Sequence, residues 1–234
     1  MYPARFPGPF GTGSRFNANL LLVILFAIET ILKSSNLSGL ALMSGGALLI
    51  IVNAVFTPML DTTIPFPEMM ASKVFLWRLS FAALAVFLLM VSCPGIHKHQ
   101  VEHSGLSGKI TFGLAFLGCA FVFAHEWGQV FFIHSIALAA PDALLAIEDT
   151  PGINAYDLEV IIGLATFTLG WISFAISMLL ANVFARPGPL LVIAGFFAIP
   201  LLSAVFSPVW GGVLGNAVLG SGFILLGREL TATR

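Results

Sequence analysis

A chain of 234 residues that is 58% hydrophobic and only 9% charged does not match a soluble domain, where roughly 25% of residues are charged. Its formal net charge of -1 offers no basic face for nucleic acid, which removes that class of partner. The forty-one residues from Pro187 to Gly227 contain no Asp, Glu, Lys, Arg or His, enough for two bilayer crossings at ~20 residues each. The expected fold is therefore an all-α, polytopic transmembrane helix bundle, one integral domain over residues 1–234, with the lipid bilayer as its principal partner. Alternating polarity of the barrel type is absent, which leaves helices as the spanning elements.

Residues Met1 to Phe16 hold Pro3, Pro7, Pro9 and three glycines, with no apolar core of a secretory leader. The first apolar run is thus expected to remain as an anchor. Seven apolar segments follow in chain order, at about 17–33, 39–59, 73–93, 110–140, 160–185, 190–206 and 209–227. Six spans result if the short first segment does not cross. Pro94-Gly95 is expected to stop the third segment, and residues 96–109 form the most polar loop. The fourth segment spans ~46 Å at 1.5 Å per residue, so it must tilt, break or protrude. Residues 141–159 read as an acidic loop. Ser207-Pro208 divides the last two segments, Pro200 is expected to kink the sixth, and Gly211 and Gly215 form a small-xxx-small pair for close packing, internal or against a partner subunit.

Basic residues set the expected orientation. Lys33, Lys98, Lys109, Arg186, Arg228 and Arg234 fall on one side, and Arg5, Arg15 and Lys73 on the other. The richer side is cytoplasmic by the positive-inside rule, giving N-out and C-in. Trp77 and Trp210 then lie near the outer interface. Short loops point to a bacterial inner (plasma) membrane.

Ionisable side chains in hydrocarbon cost roughly 2.5–3.5 kcal/mol on insertion scales, so each needs a reason. Glu29 and Lys33 are spaced i, i+4 in the favourable order and read as a structural ion pair, with a proton-coupled carboxylate as the alternative. Arg78 and Glu126 fall at similar depth on segments three and four, which predicts an ion pair between them. His125, Glu126 and Gln129 share one arc of a helix. Asn53, Thr166, Thr168, Ser203 and Asn216 fall in the same outer half. Arg78, His125, Glu126, Gln129, Asn53 and Asn216 form the candidate binding set around a shallow outer cavity. The alternative is a scatter of interhelical hydrogen bonds worth ~0.6–2 kcal/mol each.

His97, His99 and His103, with Glu102, are competent zinc or copper ligands in the polar loop; a solvated loop is the alternative. His125 and His134 are half a turn out of phase on one helix and cannot share an ion. No cofactor is expected, although a single-His haem or pigment stays open. No nucleophile elbow, phosphate loop or dinucleotide fingerprint occurs, and the seventh segment lacks a Lys for retinal, so an enzyme is not indicated and no catalytic residue is assigned. Cys93 and Cys119 read as small buried thiols. Two functions lead, handling of a small solute or ion, or a non-catalytic accessory subunit packed against other membrane subunits; a membrane-embedded redox or lipid-modifying enzyme using His97, His99 and His103 is the third and weaker reading.

Overall fold

The structure, a computed structural model, describes residues 35–61, 63–148 and 151–232. Every regular element among them is helical. Helix α1, Ser35–Ile51, runs on through a π-helical turn, Val52–Phe56, and a 3-10 turn, Thr57–Met59. The short α2, Phe66–Ala71, leads into α3, Lys73–Gly128. A second π-helical turn, Gln129–Ile133, connects α3 to α4, His134–Ala139. Then come α5 (Pro141–Glu148), α6 (Ala155–Ala181), α7 (Pro187–Val205) and α8 (Pro208–Ala232). Five stretches are long and apolar enough to cross a membrane: Asn36–Met59, Lys73–Ala139, Ala155–Ala181, Pro187–Val205 and Pro208–Ala232.

The second of these folds back on itself. Gly105 has φ 55° and ψ -145°, a region open to glycine and closed to residues with a Cβ. The chain reverses there, and arm one (73–104) lies against arm two (106–128). The Phe87 and Phe123 rings are 5.6 Å apart, and His97 stacks on Phe112 at 4.5 Å. In one straight helix, residues 97 and 112 would be roughly 22 Å apart. The over-long fourth segment and its neighbour are thus two arms of a hairpin.

Pro94-Gly95 does not end the third segment as the sequence led us to expect. Helix continues through both residues and through the region expected to be a loop, up to Gly105. The reason at Gly95 is packing: a Cβ there would sit 2.2 Å from the Ser38 Cβ of α1. The residue that reads as a stop is a contact point, and the reversal falls on one glycine ten residues later.

Glycines set most of the helix contacts. Gly39 and Gly46 of α1 meet Gly227 and Gly220 of α8, each so close that a Cβ would reach the opposite carbonyl at 2.5–2.6 Å. Arm two and α6 meet through Gly118 on Phe167 and Gly170 on Ala115. Helices α7 and α8 meet through Gly195 on Leu219, Gly211 on Ser203 and Gly215 on Ile199, so the Gly211/Gly215 pair serves internal packing. In each interface one residue number rises as the other falls, so these neighbours are antiparallel. Residues 60–61, 63–72, 140–148, 151–154 and 206–207 therefore gather at one end, here the upper end. Gly105 and residues 182–186 gather at the lower end.

Helix α6 begins with a capping box: Asp157 N–H donates to the Asn154 side chain at 2.9 Å, and Asn154 N–H donates to Asp157 Oδ2 at 3.2 Å. The expected acidic loop is therefore largely helical, and Asp157 and Glu159 belong to the first turns of α6. At its other end α6 stops on Asn182, left-handed at φ 52°. The segment 17–33, the Glu29–Lys33 pair, Arg5, Arg15 and Arg234 lie outside the described residues, as does any test of a seventh span.

Candidate functional site

Two irregularities in otherwise regular helices frame the upper-end site. Both described π turns, Val52–Phe56 and Gln129–Ile133, lie beside it. A π turn holds an extra residue and shifts the phase of everything that follows, a distortion common at functional sites. The first carries Asn53 and leads to Thr57. The second opens on Gln129. Ser72 caps α3 by accepting from Phe75 N–H at 3.2 Å, which fixes the helical phase of Arg78 a turn later. Arg78 Nε donates to Thr57 Oγ1 at 3.3 Å, tying arm one to the end of α1.

Three cavities share lining residues in sequence, ordered here from the Glu159 end. The outermost, about 240 Å³, is bordered by His125, Gln129, Tyr156 and Glu159. The next, about 260 Å³, shares His125, Gln129 and Glu159 with it and adds Arg78, Glu126 and Val160. The innermost, about 420 Å³, shares Arg78, Glu126, Val122 and Leu164 with the second and adds Asn53, Asn216 and Thr168. Its remaining wall is apolar, with Leu49, Val52, Phe167, Phe196 and Leu219. All six residues of the candidate binding set border this series. Of the hydroxyls grouped with them, Thr168 borders it.

Arg78 and Glu126 border the same two cavities, but they form no direct ion pair. The guanidinium is drawn toward Thr57, and Glu126 Oε2 is buried with no hydrogen-bond partner. Separation, not contact, is thus the correction to the predicted pair. The side-chain partner that Arg78 has instead is Thr57, in the 3-10 turn that ends α1.

At the mouth, His125 is held from both sides. Its Nδ1 lies 2.6 Å from Glu159 Oε2, and its Nε2 meets Gln129 Nε2. If the Gln129 amide donates to Nε2, the ring proton sits on Nδ1 and points at the Glu159 carboxylate. Both ring nitrogens of His125 are thus engaged inside the protein. The Tyr156 ring lies 5.6 Å from the imidazole. Glu159 and Tyr156 were not in the candidate set, because residues 141–159 read as a loop. The Asn154-x-x-Asp157 spacing was the signal for a helix start there.

The amides also hold their own helices. Asn53 Nδ2 donates to Leu49 O and Asn216 Nδ2 to Gly212 O, each at 2.9 Å. Their Oδ1 atoms are the groups left for the cavity side, and Asn53 Oδ1 also lies 3.5 Å from Thr57 Oγ1. His134 has a packing role: its Nδ1 bonds Met70 O at 2.7 Å, fastening α4 to α2.

The lower end carries a different polar set. His97 faces Phe112 and His99 faces Phe184, on different sides of arm one, and His103 is exposed. Among the described residues no group of three or more His, Cys, Asp or Glu side chains is placed to hold a metal ion. Instead His97 Nδ1, both Gln100 side-chain atoms, Ser104 Oγ and Ser177 Oγ are buried without hydrogen-bond partners. Gly108 keeps the Ser104 and Ser177 hydroxyls close together: a Cβ there would stand 2.0 Å from one and 3.4 Å from the other.

Large apolar side chains cover the outside of the bundle. Leu180 is 80% exposed, Phe132 68% and Phe197 61%, and Trp77, Trp127 and Trp210 stand exposed toward the upper end. Such a surface is costly in water and at home in lipid, with tryptophans at the boundary. Fold and surface together define a helical integral membrane protein. No protein-family model, curated protein or solved structure matches the chain.

Proposed function

We propose that this protein takes a small polar solute from the upper aqueous side into a cavity within the membrane. The observation that carries this reading is the set of three cavities whose linings overlap from Glu159 to Asn216, with Arg78 and Glu126 common to two of them. Charged groups inside a membrane bundle typically mark solute or ion paths. The distribution of basic residues supports the orientation: Lys98, Lys109, Arg186 and Arg228 are at the lower end, which we read as cytoplasmic, so the mouth opens outward.

The test is chemical access. In purified protein in detergent, Thr168→Cys borders the innermost cavity, whereas Leu169→Cys is on the outer apolar surface, where Leu169 is 65% exposed. A charged, water-soluble methanethiosulfonate reagent should modify Thr168→Cys at least about tenfold faster, because reaction needs a hydrated thiolate. The native Cys93 and Cys119 are fully buried and give the background. Equal or slower modification of Thr168→Cys removes the solute path and leaves an accessory subunit as the better reading.

A further inference from the structure

The inner cavities contain a cation and an acid that do not touch each other. Arg78 spends its Nε on Thr57, and the hydrogen bonds of the described residues leave the two terminal nitrogens of its guanidinium fork unused. Glu126 Oε2 is buried and has no partner, at the border of the same two cavities. A guanidinium fork matches a carboxylate in two parallel hydrogen bonds. A carboxylate matches an ammonium group. A molecule that carries only one of these charges neutralises one wall and leaves the other uncompensated in a poorly solvated place. The rest of the innermost wall, with Leu49, Val52, Phe167 and Phe196, offers nothing to a third charge and much to an apolar body.

We infer that the cavity binds a small zwitterion, with its carboxylate on Arg78, its ammonium on Glu126 and a short apolar body against the Phe167–Phe196 wall. The class is that of an apolar α-amino acid. Asn216 and Thr168 border the same space, and each carries an oxygen of a kind that can accept an ammonium proton. The inference rests on the solute-binding reading above and narrows it to one charge pattern. The cavity volume of about 420 Å³ is ample for a molecule of this size.

The test uses the full chain purified in detergent and three probes of one shape: L-leucine, 4-methylpentanoate, which lacks the amine, and 3-methylbutylamine, which lacks the carboxylate. Calorimetric titration should show leucine binding, with each single-charge analogue weaker by at least about tenfold. In Glu126→Gln the ammonium partner is gone, so the preference for leucine over 4-methylpentanoate should collapse toward unity. That readout is a ratio and holds even where the variant is less stable. Equal binding of either analogue by the native protein overturns the zwitterion assignment. So does an unchanged leucine preference in Glu126→Gln, and so does the absence of leucine binding. The Thr168→Cys access result separates the two failures. Rapid modification with no zwitterion binding leaves the solute path standing and rejects only this ligand class; slow modification rejects both.

Discussion

The bundle has two buried polar regions, and they differ in charge. The upper one holds Arg78, Glu126 and His125 with three amides, arranged along connected cavities. The lower one holds His97, Gln100, Ser104 and Ser177, set between the two arms of α3 and helix α6. Both leave polar atoms without protein partners. A neutral hydroxyl or amide in that state costs about 1–3 kcal/mol, which one bound water can offset. A buried charge costs more, and a water molecule does not neutralise it. An unmet hydrogen bond therefore identifies no ligand at the lower end. At the upper end, the zwitterion proposed above is the ligand that would meet both Arg78 and Glu126.

The strongest way to break this contrast is to remove one charge and keep the other. Arg78→Leu should lower thermal stability in detergent by about 1.5–3 kcal/mol, because the charged hydrogen bond to Thr57 is lost and Glu126 loses the cation that borders its cavities. Adding Glu126→Gln to that variant should recover much of the loss. Additive effects in the double-mutant cycle would mean that the two charges do not sense each other across the cavity, and the upper region would then be a scatter of polar groups like the lower one.

Much of the upper region was legible in the sequence, because intramembrane charge is rare enough to stand out. Depth counting placed Arg78 beside Glu126, and helical phase grouped His125 with Gln129. What failed was local. Counting assumes a uniform helix, and both π turns violate that at Asn53 and Gln129 without any marker residue. Thr57 was therefore not seen as the rival for Arg78. Glycine carries two meanings that sequence does not separate: Gly95 permits contact with Ser38, and Gly105 permits a left-handed turn. Reading the first as a stop displaced the hairpin tip and turned the end of arm one into a loop. The lower polar cluster was missed for the same reason, since Gln100 and Ser104 seemed to belong to solvent.

An intermediate effect sharpens the comparison from the other side. Gln100 is fully buried with neither side-chain atom bonded to protein. Gln100→Leu keeps most of the volume and removes the unmet amide, so it should raise stability by about 1–3 kcal/mol in thermal unfolding. No such gain is expected from Glu126→Leu, which strands Arg78. A fall on Gln100→Leu would show that ordered water already satisfies the lower cluster.

The smallest effect belongs to the mouth. His125 and Glu159 lie 2.6 Å apart, but the Glu159 side chain is 46% exposed while that of His125 is 17% exposed. A carboxylate–imidazole contact with one partner in water is worth about 0–1 kcal/mol and weakens with salt. Glu159→Gln should therefore change stability within that range, and raising the ionic strength should shrink the difference further. The same substitution keeps a group that can accept the Nδ1 proton of His125, so the orientation of the ring should survive. A loss well above 1 kcal/mol that persists in high salt would place Glu159 among the buried charges. The region of unmet charge would then extend from Glu126 to the surface, and the two ends of the bundle would differ even more than the geometry of Arg78 and Glu126 implies.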